Sequence, residues 1–184
     1  MGFTMAKSAR TGFQVTPSPG KNTNMSILKK TRHKPQVGDV FAVCIAQRVW
    51  LMGRVVEIGK MFGWPLDCNM MYVYAHQFSS LQQLVDSEPP VPPQLLVGPF
   101  VSGNQLWSQG YFLHIRNIPL REIDVVGQHL FIDGHLPIGT YKNIHRERVR
   151  CETLPYSPVP SGLGNTTTTD TLLSEAIGLV SRSE

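Results

Sequence analysis

The chain has 184 residues, of which 14 are proline, 16 are glycine and 41% are hydrophobic. This length suits one domain with extra segments at its ends, and the many prolines and glycines favour strands and turns over a compact helical bundle. No stretch approaches the roughly 20 apolar residues that cross a bilayer, and the N-terminus lacks the apolar core of a secretory signal. We therefore predict a cytoplasmic protein without a membrane segment.

The formal net charge is +4, but the charge is distributed unevenly. Residues 1–34 carry seven basic residues and no acid, whereas residues 35–155 sum to −1 and residues 156–184 to −2. A domain that binds nucleic acid is expected to carry its own basic face. The sequence therefore argues against nucleic acid as a partner of the central domain, with a contact by the basic N-terminal segment as the alternative.

Composition divides the chain into three parts. Residues 1–34 are rich in Thr, Ser, Asn, Gly and Lys, which predicts a disordered basic tail. Met25 offers a second plausible start, so residues 1–24 are expected to be dispensable or wrongly assigned to the protein. Residues 35–155 are predicted to form a single globular, mainly β domain. Residues 156–184 read as a Pro/Gly/Thr linker and a short amphipathic helix over 170–180, with Asp170 as its N-cap.

The strongest structural signal lies in residues 35–58. Two apolar runs, 40–46 and 50–58, are separated by Gln47-Arg48-Val49 and predict an antiparallel hairpin. Neither run alternates with polar residues, so both faces of the hairpin are expected to be covered. Arg54, a lone charge beside Gly53, is expected to reach the surface through a bend or bulge.

Further strands are predicted from apolar runs bounded by turn residues. They cover residues 69–76, 95–101, 111–115 and 128–132, and residues 138–150 are expected to add a last short strand or a helical turn. A short helix over 79–85 would be capped by Ser79 or Ser80. The fold class is therefore mainly β, with α+β at the margin. We expect a small, strongly curved antiparallel sheet or partly open barrel with one or two short peripheral helices and disordered tails.

The sequence contains no recognisable catalytic, nucleotide-binding or zinc-binding motif. Cys44, Cys68 and Cys151 are odd in number and widely spaced, which indicates reduced thiols. His114 is predicted to be a half-buried strand residue rather than a ligand. We accordingly predict no enzymatic activity, no cofactor and no metal, although a site assembled only by the fold stays open.

Partner contacts are predicted from aromatic residues in loops, because aromatic side chains supply contact area with few rotatable bonds. The candidates are Phe62, Trp64 and Trp107. The alternative for Phe62 and Trp64 is that they fold back and cap an open end of the barrel.

Several motifs together resemble the immunity protein 26 family of bacterial polymorphic toxin systems. They are Gly38-Asp39-Val40-Phe41-Ala42, Gly53-Arg54-Val55, Tyr72-Val73-Tyr74 and the segment from Trp107 to Ile115-Arg116-Asn117-Ile118-Pro119-Leu120. The resemblance covers roughly residues 35–133. It departs from the family at Ile45-Ala46, where the family more often has Pro-Leu, and at the proline connector 89–93.

The resemblance implies a non-enzymatic protein that binds and neutralises a cognate toxin by stoichiometric protein–protein inhibition. It also implies that the recurrent motif residues determine the fold; these are Gly38, Asp39, Phe41, Gly53, Arg54 and Pro119. Two alternatives stay open: a small β-barrel that binds RNA or resembles ribonuclease toxins, and a structural interaction module with an unrelated partner.

Overall fold

The structure is a computed structural model that describes residues 15–91 and 93–179. The chain is mainly β, as predicted, with 32% strand and 15% helix. The described elements follow one another as β1 (Asp39–Ile45), β2 (Val49–Gly59), β3 (Cys68–Phe78), α1 (Leu81–Asp86), β4 (Phe100–Ser102), α2 (Gln105–Ser108), β5 (Leu113–Asn117), a 3₁₀ turn (Glu122–Asp124), β6 (Thr140–Lys142), β7 (Arg148–Arg150), β8 (Leu163–Gly164) and α3 (Thr166–Ala176).

Six strands form one open sheet in the order β5-β1-β2-β3-β4-β8, which does not close into a barrel. Neighbouring strands are antiparallel except β4 and β8, which pair in parallel. Strands β6 and β7 make a separate hairpin. The described part of the chain holds three helices, and α2 is the one that the sequence did not predict.

The β1–β2 hairpin is confirmed and lies within the sheet, between β5 and β3. All seven residues of β1 are buried, so both of its faces are covered. The ring of Phe41 stacks on Phe112 with centroids 4.4 Å apart and meets Trp107 edge-on at 5.6 Å. Phe41 also lies over Gly53, where an added Cβ would come within 2.2 Å of its ring. Glycine is therefore required at position 53, because only a bare backbone leaves space for this ring.

Arg54 does not reach the surface as the sequence predicted, although the strand is bulged on both sides of it. The residue is 2% exposed. Its Nη2 donates to the carbonyl oxygens of Ile118 and Pro119 at 2.7 and 3.1 Å, and its Nη1 lies 3.4 Å from Asp124 Oδ2. The segment after β5 covers this face of the sheet and replaces water around the guanidinium. A buried charge is tolerated where such partners surround it.

Asp124 is 1% exposed and receives hydrogen bonds from both the backbone and the side chain of Arg121. The Arg121 side chain lowers the pKa of Asp124 from 3.8 to about 2, outweighing the burial that opposes this shift. Since the folded-state pKa is the lower one, the stability that the ionised carboxylate contributes is present above about pH 4 and is lost as the pH falls towards 2.

This linkage predicts a pH-dependent effect of Asp124→Asn. Urea unfolding should show the variant less stable than the wild type near neutral pH, and the difference in free energy should shrink between about pH 4 and pH 2. Asp67→Asn, at an exposed position, is the matched control. A difference between Asp124→Asn and wild type that stays constant over this range would contradict the assignment.

The N-terminal segment differs from the predicted disordered tail. Residues 1–14 lie outside the described residues, but Thr23, Asn24, Met25 and Ser26 are buried. The Ser26 amide donates to the Cys44 carbonyl at 2.8 Å, and the Ala46 amide donates to the Asn24 carbonyl at 2.7 Å. Residues 23–26 therefore dock against the turn end of the β1–β2 hairpin, which counts against the expectation that all of residues 1–24 are dispensable.

The C-terminal helix begins earlier than predicted, because Asn165 caps it by accepting a hydrogen bond from the Thr168 amide at 2.8 Å. Asp170 lies inside α3 and is buried rather than capping it. Its two carboxylate oxygens accept hydrogen bonds from the Asn24 and Met25 amides at 3.0 and 2.7 Å. The predicted linker also packs, since Tyr156 is buried and β8 extends the sheet.

Other boundaries shift for local reasons. The helix α1 is confirmed, with the Ser80 hydroxyl accepting from the Gln83 amide. The predicted strand 95–101 is reduced to β4 because Gly98-Pro99 interrupts it. The strand 111–115 begins at Leu113, since the Tyr111 and Phe112 amides bond to Leu106 in α2. Residues 128–132 form no strand and contribute isolated bridges at Phe131 and Ile132.

Candidate partner-binding surface

The loop between β2 and β3 is held in an unusual conformation. Phe62 has a φ of +56°, a region that bulky side chains rarely adopt. Its amide donates to the Ile144 carbonyl at 2.7 Å, and its ring packs edge-on against Phe131 with centroids 4.9 Å apart. Such strain persists where the surrounding structure enforces it, and it is found disproportionately at functional sites.

The three predicted contact residues occupy different environments. Trp107 is 0% exposed and packs on Phe41 and Phe112 in the core, so it has no surface to offer a partner. Phe62 is 3% exposed and fits the capping alternative. Trp64 packs on Phe62 with 5.5 Å between ring centroids and stays partly exposed, two residues before Leu66, which is 75% exposed. Trp64 is therefore the one of the three that a partner can reach.

The β6–β7 hairpin supplies the neighbouring surface. Asn143 fixes its turn, because Asn143 Oδ1 accepts from the His145 and Glu147 amides and Asn143 Nδ2 donates to the Glu147 carboxylate. Arg146 adopts a φ of +67° and places its guanidinium beside Gly63 in the β2–β3 loop. We call residues 59–66 and 140–150, joined by the Phe62–Ile144 hydrogen bond, the loop–hairpin surface.

The hairpin part of this surface is basic. Residues 140–150 contain four basic residues against the single acid Glu147, a formal charge of +3. Lys142 is paired with Asp133. Arg146, Arg148 and Arg150 are exposed and form no salt bridge within the described part of the chain. The loop–hairpin surface thus combines a partly exposed tryptophan with arginines that form no salt bridge among the described residues. The sequence run from 145 to 150 shows these arginines, but not that Arg146 lies beside Gly63 in the β2–β3 loop.

Two groups of titratable residues lie elsewhere. The Tyr72 hydroxyl lies 2.6 Å from His129 Nε2 and accepts from the Val126 amide at 3.0 Å, and His129 Nδ1 is 3.8 Å from Glu57 Oε2. Burial raises the pKa of Tyr72 and lowers that of His129, so the phenol stays protonated at neutral pH and links β3 to the covering segment. The second group contains His33, Asp39 and His114 and could hold a metal.

The cysteines give no indication of nucleophilic chemistry. All three are free thiols, as predicted. Burial raises the pKa of Cys44 to about 11 and also raises that of Cys68. A thiol with a raised pKa is a poor nucleophile, because the thiolate is the reactive form.

Several of the residues that carry the family resemblance contact one another. The Gly38 amide donates to the Val55 carbonyl at 2.9 Å, and the Ile118 amide donates to the Gly38 carbonyl at 3.0 Å. Gly38 has a φ of +91°, and a Cβ there would lie 2.4 Å from the Ile118 carbonyl oxygen. With the Arg54 bonds to Ile118 and Pro119, these contacts fasten the segment after β5 onto β1 and β2.

Comparisons of the chain with protein-family models, with curated proteins and with solved structures gave no significant match. Within residues 15–91 and 93–179, no helix has both the length and the apolar character needed to cross a bilayer. The family resemblance described above therefore rests on the quoted motifs alone.

Proposed function

We propose that this chain is an immunity protein that binds a cognate toxin domain through the loop–hairpin surface and inhibits it stoichiometrically, without catalysis of its own. The observation that carries the proposal is the partly exposed Trp64 in a loop that the Phe62–Ile144 hydrogen bond joins to the basic β6–β7 hairpin, where Arg146 lies beside Gly63. The motif residues support it indirectly, since each has a structural role in the sheet and the segment that covers it.

The physical character of the surface fits protein–protein inhibition. Tryptophan and arginine are enriched among the residues that dominate binding energy, and they act most strongly when packing has already fixed them. Trp64 is supported from below by Phe62, whose ring contacts Phe131. The formal charge of +3 on residues 140–150 predicts a complementary acidic patch on the toxin, which would accelerate association.

The proposal is tested by inducing candidate toxin domains encoded by the neighbouring genes with and without this protein. We expect growth to be rescued and the two proteins to elute together as a stoichiometric complex. Trp64→Ala should weaken the complex by about 1–2 kcal/mol, roughly tenfold, and Arg146→Glu should slow association. Isothermal titration calorimetry and stopped-flow mixing measure the two effects.

Ile123→Ala is the matched control, because Ile123 is 58% exposed on the 3₁₀ turn outside the loop–hairpin surface. If the wild type rescues growth but Trp64→Ala binds the toxin with the same affinity as the wild type, the binding surface lies elsewhere on the protein. No rescue and no complex would overturn the proposal. Salt-dependent RNA binding that is lost in Arg148→Glu would instead favour the RNA-binding alternative, for which the exposed arginines are the supporting observation.

A further inference from the structure

Three residues that are distant in sequence converge on one carboxylate. His33 precedes β1, Asp39 opens β1, and His114 lies on the neighbouring strand β5. His33 Nε2 is 2.6 Å and His114 Nδ1 is 3.7 Å from the same oxygen, Asp39 Oδ2. All three candidate ligand atoms lie within 4.8 Å of one another. We propose that His33, Asp39 and His114 bind a divalent transition-metal ion of the Zn²⁺ type.

The distances are close to those of a metal site. Ligand atoms around a tetrahedral zinc ion, with bonds of about 2.0–2.2 Å, lie about 3.3–3.6 Å apart. The two distances to Asp39 Oδ2, 2.6 and 3.7 Å, lie on either side of this range. The imidazole rings are stacked with centroids 4.1 Å apart, so one ring must turn for both nitrogens to face the ion. That terminal torsion is broad and easily rotated.

His114 provides an independent reason to expect a ligand. Its Nδ1 is buried and has no hydrogen-bond partner in the described part of the chain. A buried polar atom without a partner destabilises the fold, and a metal bond would supply the missing interaction. Burial also lowers the pKa of His114, an effect that Asp39 opposes, and the neutral ring is the form that binds a metal.

Hydrogen bonds fix the orientation of the Asp39 carboxylate, as is typical of metal ligands. Its carboxylate is almost completely buried, and Oδ1 accepts a hydrogen bond from Asn117 Nδ2 at 2.8 Å. Asn117 is anchored in turn by donating to the Val37 carbonyl, and the Gln36 amide donates to Asp39 Oδ2 at 2.8 Å. Such outer contacts orient metal ligands and tune their affinity.

The donor set selects the class of ion. Two imidazole nitrogens and one carboxylate oxygen suit zinc and neighbouring transition metals, whereas Mg²⁺ and Ca²⁺ prefer oxygen ligands. The His33 and His114 side chains are 23% and 31% exposed, so solvent reaches part of both rings. The ion would tie the N-terminal segment to the edge strand β5.

The test uses the full chain without a histidine tag, stripped of metal with a chelator and titrated with ZnCl₂ in a calorimeter. We expect saturable binding of one ion per chain, a higher thermal midpoint with zinc, and no response to MgCl₂. His33→Phe and His114→Phe keep an aromatic ring but remove the ligand nitrogen, and each should weaken binding at least about tenfold. His135→Phe, at an exposed position outside the cluster, should bind zinc as wild type does.

Two variants keep the test decisive if one fails to fold, which circular dichroism of the metal-free protein will reveal. Co²⁺ provides a second readout, because absorption in the visible range reports its coordination geometry. Absence of saturable zinc binding would overturn the proposal. Undiminished binding by the correctly folded phenylalanine variants would do the same, since it would assign the ion to other ligands.

Discussion

Arg54→Ala is expected to destabilise the fold by about 3–5 kcal/mol, because it removes one member of a buried ionic network. The Ile118 and Pro119 carbonyls would lose their donor, Asp124 would lose one of its two arginine partners, and a cavity would remain between the sheet and the segment that covers it. Domains of this kind have a total stability of about 5–15 kcal/mol, so the loss is a large fraction of it.

Urea or thermal unfolding of Arg54→Ala measures this effect. Arg48→Ala, at an exposed position in the β1–β2 turn, is the control and should change stability by less than about 0.5 kcal/mol. Arg54→Met should be less damaging than Arg54→Ala, because it fills most of the volume while still removing the hydrogen bonds. A cost below about 1 kcal/mol for Arg54→Ala would show that the guanidinium is not held as described.

Asp170→Ala is expected to lower the free energy of unfolding by about 2–4 kcal/mol, because it removes the carboxylate that accepts hydrogen bonds from two buried backbone amides. These are the amides of Asn24 and Met25, which both donate to the Asp170 carboxylate. The variant should release residues 23–26 from α3. Amide hydrogen exchange at Asn24 and Met25 should therefore accelerate beyond the change expected from global stability alone.

Glu175→Ala is the matched control, since it removes a carboxylate from an exposed position of the same helix. The stability of Asp170→Asn should lie between those of Asp170→Ala and Glu175→Ala, because an amide side chain keeps one acceptor oxygen but loses the charge. Equal stability and equal exchange rates for Asp170→Ala and Glu175→Ala would contradict the docking of the N-terminal segment through Asp170.

The features that sequence reasoning identified correctly are those that local patterns specify. The β1–β2 hairpin follows from two apolar runs around a short polar interval, and α1 follows from Ser80 and the residues after it. The mainly β class follows from the same patterns. The parallel pairing of β4 with β8 was not predictable in this way, because β8 contains two residues and no apolar periodicity.

The errors share a physical origin. The sequence pattern indicated a surface charge at Arg54 and an unstructured segment over residues 15–34. Both predictions failed because the hydrogen-bond partners, such as Ile118 for Arg54 and Asp170 for Asn24, are remote in sequence. The same limit applies to the candidate sites. Loop position pointed to Trp64 and to Trp107 alike, yet Trp107 lies in α2 and is buried against Phe41 and Phe112. The convergence of His33 and His114 on Asp39 depends on β5 pairing with β1, which no local motif reveals.

The attachment of residues 23–26 to α3 has a consequence for the order of events during synthesis. Asn24 and its acceptor Asp170 are 146 residues apart. At a translation rate of about 5–20 residues per second, the ribosome adds Asp170 roughly 7–30 s after Asn24. During that interval the β1–β2 hairpin can hold residues 23–26 from one side, through Cys44 and Ala46, while the other side stays uncovered. The nascent chain is therefore open to proteases and chaperones at this segment until α3 has emerged from the ribosome.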